Sequence, residues 1–190
     1  MPSRSEADVA RAIRLSQGIP ARYARWTLSD FAPAAVERVA KWAASSKWCL
    51  YMAGGVGTRK SSLAAAIVVA ARLGGHRSMF APMDVAIKQI RSFHDWWIEQ
   101  AGECELLVLD DLGAARDTPH VHETLNRILL GRYDRELATV LTSNLPLATL
   151  RTEYDERLAD RIREGYQLCP GQASRRVAGE EKPQIDPNGS

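Results

Sequence analysis

The chain has 190 residues, 45% hydrophobic and 25% charged, enough for one buried core and too few for two large ones. Its 25 Lys and Arg against 23 Asp and Glu leave a formal charge of +2, so net charge does not mark a polyanion-binding protein. The three cysteines, Cys49, Cys104 and Cys169, form no CxxC pair and are odd in number, which argues against a zinc knuckle or disulfide framework and for buried free thiols.

Met1 to Ala10 lacks the apolar stretch of a signal peptide, and the longest apolar run, Leu63 to Ala71, is about half of a membrane span. A soluble cytoplasmic protein with no membrane partner is expected. Val9, Ile13 and Leu15 fit one side of a short first helix that Gly18 and Pro20 end, giving an N-terminal extension over residues 1–18. Pro33 starts a second helix, its apolar stripe read as Val36, Val39, Ala40 and Ala43, and Trp48 to Ala53 reads as a buried strand. A glycine-rich turn leads into an alanine-rich helix from Lys60 to Leu73, stopped by Gly74-Gly75. Ser78 to Ala81 is a second strand, followed by one helix from about Met83 to Ile98. Glu105 to Asp110 is a third strand whose four consecutive apolar residues require cover on both faces. Asp117-Thr118-Pro119 caps a helix running to about Arg135, Thr139 to Thr142 is a fourth strand, Leu147 to Glu164 is helical with a break, and Gln167 to Cys169 is a fifth strand. The tail, residues 178–190, is polar and expected to be disordered. This alternation predicts one α/β domain over residues 19–177, a parallel sheet with helices on both faces and ligands at the carboxyl ends of its strands.

Gly54-Gly-Val-Gly-Thr-Arg-Lys60-Ser61 lies between a strand and a helix, the context in which a phosphate-loop pattern acquires a mechanism. The candidate ligand contacts are Gly54, Gly55, Val56, Gly57, Thr58, Arg59, Lys60, Ser61 and the adjoining Ser62. Loop N–H groups and the helix's positive end can wrap a triphosphate, Lys60 can neutralise the outer phosphates, and the Ser61 hydroxyl can ligate magnesium. The rival reading is a glycine-rich turn with an incidental lysine. One position departs from the pattern, for Arg59 stands where glycine is asked for. About 50 residues downstream, Leu106-Leu-Val-Leu-Asp110-Asp111 delivers two carboxylates at a strand end, Asp110 for magnesium and Asp111 to polarise the attacking water. Asn144 ends the fourth strand at the same edge, where its amide can orient water, although Ser-Asn-Leu-Pro also reads as a simple turn.

Ile19-Pro-Ala-Arg22-Tyr23, the phosphate loop, Leu107 to Gly113, Arg132-Tyr133 and Thr142 to Pro146 together resemble the DnaC/IstB-like AAA+ ATPases, bacterial helicase loaders and transposition helpers, over about residues 18–177. The resemblance implies strand order 5-1-4-3-2, ATP with Mg2+, and a homo-oligomer in which one subunit's arginine completes its neighbour's site. It makes Gly57, Lys60 and Ser61 the phosphate and magnesium contacts, Asp110 and Asp111 the second acidic motif, and Asn144 the first sensor. Arg161 falls at the arginine finger with Arg157 as its rival, Arg175 at the second sensor with Arg176 as its rival, and Ile19, Pro20 and Tyr23 would line the adenine pocket. Arg59 puts turnover at issue, and only about 18 residues precede Ile19, where helicase loaders usually carry a separate helicase-binding domain.

The arginine-rich N-terminal region and C-terminal third can track single-stranded DNA or be a solvated face. Trp96-Trp97 beside Phe93 reads more readily as core or interface than as a base-stacking platform. His120 and His122 are two apart, on different sides of a helix, and do not pair on a metal. Three readings follow: an ATP-hydrolysing loader of a replicative helicase, a transposition helper that activates a transposase, and a nucleotide-binding adaptor with little turnover because of Arg59.

Overall fold

In a computed structural model, residues 18–113 and 118–169 are described. The expected first helix, the Asp117 cap position, Arg175, Arg176 and the polar tail lie outside them. The described elements are α1 (Ala21–Ala24), a 3-10 turn (Leu28–Asp30), α2 (Pro33–Ala43), β1 (Cys49–Ala53), α3 (Lys60–Leu73), β2 (Ser78–Pro82), α4 (Met83–Arg91), α5 (Asp95–Glu103), β3 (Leu106–Leu112), α6 (Pro119–Asp134), β4 (Ala138–Ser143), α7 (Leu147–Glu153), α8 (Glu156–Glu164) and β5 (Tyr166–Leu168).

All pairings in the five-stranded sheet are parallel, and read from β5 the order is 5-1-4-3-2, as the resemblance implies. Successive residues of a strand face opposite layers. In β3, Leu107 and Leu109 pack with Tyr51, Leu125 and Ile162 on one face, while Leu106 and Val108 pack with Leu63, Ile67 and Val140 on the other. The two-sided cover expected for β3 is therefore present, with α3 on one face and α4 to α8 on the other.

Three local expectations need correction. The helix read as continuous from Met83 to Ile98 is two, because Phe93 takes φ 51° and breaks the hydrogen-bonded spiral between α4 and α5. The break leaves Trp97 buried in the core and Trp96 61% exposed. The inward stripe of α2 is Ala35, Val39 and Trp42, not Val36, Ala40 and Ala43, which instead line a surface cleft of about 580 Å³ with Ile67 and Leu137. The large indole takes the core position and rotates the helix about its axis. Of the thiols expected to be buried, Cys49 and Cys104 are, but Cys169 at the end of β5 is exposed. Burial pushes the Cys49 and Cys104 thiols above their ordinary range, so both stay protonated. No helix among the described residues is long and apolar enough to cross a membrane.

Candidate nucleotide site

The sheet order puts β1, β3 and β4 side by side, so the segments leaving their carboxyl ends converge. The loop after β1 turns on Gly54 (φ 155°), Gly57 (φ 85°) and Arg59 (φ 60°, ψ 24°), and Arg59 is the N-cap of α3. Arg59 thus sits in the left-handed conformation for which the motif asks glycine, at a cost of about 1–2 kcal/mol. The Thr58 hydroxyl donates to the Gly55 carbonyl (2.8 Å), tightening the turn, while Val56 at its tip is 94% exposed.

Lys60 opens α3 and is only 7% exposed. Its Nζ donates to the carbonyls of Gly54 (2.5 Å) and Gly55 (3.0 Å) and to Asn144 Oδ1 (3.0 Å). The Asn144 amide in turn donates through Nδ2 to Asp111 Oδ1 (2.9 Å). Lysine, amide and carboxylate therefore form one relay, and the sequence of charges fixes which end of the amide faces which partner. Burial pulls the Lys60 ammonium below its usual range, against the pull of Asp111 and Asp110 upward.

Two carboxylates at adjacent positions of a regular strand would face opposite layers, and a bulge overrides that rule here. β3 pairs Leu109 with Leu141 and Leu112 with Ser143, so β3 fits one extra residue, and Asp111 supplies it at φ 70°. The bulge turns Asp111 to the sheet edge while Asp110 stays 3% exposed beneath it. Thr142 locks both: its hydroxyl donates to Asp110 Oδ1 (2.7 Å) and accepts from the Asp111 N–H (2.8 Å). Burial raises the Asp110 carboxyl above its usual range, opposed by hydrogen bonds from the Thr142 and Ser61 hydroxyls. A desolvated carboxylate beside a serine hydroxyl is a donor set that fits magnesium, and Ser61 and Asp110 are the residues that would hold it. Among the described residues no three His, Cys, Asp or Glu side chains cluster, so the remaining ligands would be phosphate oxygens and water.

The sequence places Thr142 at a strand end and in the Thr142 to Pro146 motif, with no task of its own. Its role is invisible until the bulge places two groups of β3 opposite one hydroxyl. Thr142→Val is expected to orphan the Asp111 N–H and leave the buried Asp110 carboxylate with the Ser61 hydroxyl but not that of Thr142, lowering stability by about 2 kcal/mol in chemical denaturation, while Thr142→Ser holds it.

The N-terminal segment packs in the apolar layer that also holds Leu63 of α3. Ile19 is 8% exposed and packs with Tyr23, Val39 and Phe80, and the Tyr23 and Phe80 rings lie 6.4 Å apart. The Arg22 guanidinium lies 4.7 Å over the Tyr23 ring, and its charge acts on Asp110. Ser62 follows Ser61 in the first turn of α3 and is buried. Beyond Asn144, the Tyr51 hydroxyl donates to the Leu145 carbonyl (2.6 Å) and the Gly113 N–H donates to the Tyr154 hydroxyl (3.1 Å), pinning the two loops that carry the acidic and amide groups.

Arg161 is not gathered into this constellation. The Trp48 indole donates to its carbonyl (2.9 Å) at the entry to β1, whereas the phosphate loop leaves the far end, about 16 Å away at the usual rise per residue. The guanidinium lies 4.6 Å over the Tyr133 ring and donates to Glu164 Oε1 (2.7 Å), with its side chain 35% exposed. Glu164 is held below its ordinary carboxylate range by the Tyr133 hydroxyl and then by Arg161. Nearby, Arg151 pairs with Glu156 and Arg163 with Asp160, so this arginine-rich stretch is a mixed-charge surface.

No family model and no curated protein matches the chain. Solved structures do. A DnaC helicase loader superposes with TM-score 0.69 at 22% identity over 79% of this chain and 99% of its own. DnaI gives TM-score 0.68 at 21% identity over 82% and 95%. AMPPCP-bound DnaA from Aquifex aeolicus gives 0.67 at 20% identity over 75% of this chain and 49% of its own, so the chain spans about half the length of the DnaA protein it matches. Likeness at these identities is a statement about architecture, and in architecture this chain has the AAA+ P-loop NTPase fold of the DnaC-like helicase loaders and DnaA.

Proposed function

We propose that the chain binds and hydrolyses ATP and uses that cycle to load or remodel a replicative DNA helicase. The observation that carries the nucleotide reading is the Lys60–Asn144–Asp111 relay set beside a buried Asp110, on three neighbouring strands of one sheet edge. Each group has a distinct task. Loop N–H groups and Lys60 hold the phosphates, Asn144 and Asp111 align the water that attacks the terminal phosphorus, and Asp110 with Ser61 fixes the metal. Magnesium supplies charge neutralisation at the phosphates when bound. The helicase reading is supported by the fold shared with the DnaC helicase loader structure, 99% of which is matched by 79% of this chain.

The position of Arg161 supports hydrolysis between subunits, because it is remote from its own loop yet accessible. Arg161→Ala and Lys60→Ala are each expected to lower steady-state ATP turnover at least about tenfold, and mixing the two variants to restore part of it, since some interfaces then pair an intact loop with an intact finger. Unchanged turnover in Arg161→Ala would sink the shared-site reading. Co-sedimentation with a replicative helicase and with a transposase, with and without ATP, separates loader from transposition helper.

Arg59 favours a second reading, the slow or non-hydrolysing adaptor. Its left-handed backbone supports binding, because the loop keeps its turn despite the side chain.

A further inference from the structure

We infer that Trp26 is a positioning residue of the nucleotide site, acting through Arg59 to hold the phosphate loop in its binding conformation. The inference rests on the nucleotide-binding reading above. Arg59 is exposed, and its guanidinium lies 5.1 Å over the Trp26 ring. Trp26 is held in turn: its backbone N–H donates to the Tyr23 carbonyl (3.1 Å), the Phe31 ring lies 5.7 Å from the indole, and the Arg25 guanidinium lies 5.6 Å from it. A residue of the phosphate loop is thereby tied to the segment that carries Ile19 and Tyr23.

The tie matters because of the backbone that it holds. A side-chain-bearing residue disfavours the left-handed conformation by about tenfold, so a loop with Arg59 has a standing tendency to leave the turn that α3 and the phosphates need. A cation over a half-buried aromatic face offsets at least about two- to fivefold of that. Nucleotide affinity scales with the fraction of loop in the competent turn, so loss of the ring should weaken binding by a similar factor. Glycine at position 59 removes the tendency and with it the need for the tether. Trp26 should therefore matter only when Arg59 is present.

The test is a cycle on the full chain, reading the dissociation constant of a fluorescent ATP analogue with magnesium. Trp26→Ala, and Trp26→Leu as a variant that keeps apolar bulk for folding, should each weaken binding about threefold, while Trp26→Tyr retains affinity. Arg59→Gly should tighten binding, Arg59→Ala should weaken it like loss of the ring, and Trp26→Leu added to Arg59→Gly should change nothing further. Equal weakening by Trp26→Leu in both backgrounds, or none in the parent, overturns the inference. Weakened binding in Arg59→Gly overturns it too, since the guanidinium would then be a direct phosphate ligand. Lys60→Ala separates the two levels: if it binds as the parent does, the nucleotide reading fails and takes this one with it.

Discussion

Lys60→Ala is expected to weaken ATP binding by about 100-fold, roughly 3 kcal/mol, while leaving the fold intact. The ammonium is almost fully enclosed, and its hydrogen-bond partners are two loop carbonyls, the Thr58 hydroxyl and the Asn144 amide oxygen, none of them a carboxylate. Desolvation outweighs the attraction of Asp111 and Asp110, so burial works against the charged form. Such a lysine is not retained for stability. Its charge is strongly favoured only when an anion arrives at the helix N-terminus, where the loop N–H groups also point. A thermal melt of Lys60→Ala should match or exceed the parent, and a nucleotide titration should be nearly flat. A variant that unfolds while nucleotide still protects the parent would assign Lys60 a structural role instead.

Arg132→Ala should do the reverse, destabilising the fold by about 3–5 kcal/mol in chemical denaturation. Arg132 is 0% exposed and spends its donors on structure: Nε to Thr139 Oγ1 (2.9 Å), Nη1 to the carbonyls of Ala101 (3.0 Å) and Cys104 (2.8 Å), and Nη2 to the Ala138 carbonyl (2.6 Å). One guanidinium thus stitches the end of α5, the end of α6 and the start of β4. Truncation strands its acceptors and opens a cavity as large as the side chain. Desolvation lowers the Arg132 pKa, yet an arginine stays charged, and five fixed donors explain why the site is arginine and why Arg132→Lys should recover only part of the loss. Because these contacts lie at the amino ends of the strands, nucleotide affinity of the folded fraction should not follow the stability loss.

Arg132 shows what the sequence hid. Beside Tyr133 it belongs to a recognisable motif, but nothing in the spacing separates a buried structural arginine from a functional surface one. The phosphate loop was legible because glycine, lysine and serine at fixed spacing between a strand and a helix answer to one chemistry. Asp110 and Asn144 were legible as strand ends of an alternating α/β chain. Their coupling was not, since the relay depends on the bulge at Asp111 and on the hydroxyl of Thr142, both products of register rather than composition. The split between α4 and α5 was hidden by the same kind of event, a left-handed backbone at Phe93, a residue that rarely adopts it. Arg59 lies between these cases. Motif and conformation agree that position 59 is left-handed, and only the structure adds that Trp26 holds the side chain.

The nucleotide site is probed without intermediaries by equilibrium binding of ATP to the unmodified chain, titrated with and without magnesium and repeated with Asp110→Asn. Saturation at one nucleotide per chain is expected, tightened by magnesium, with that tightening lost in Asp110→Asn. Binding that never saturates, or a magnesium effect that survives Asp110→Asn, would contradict it.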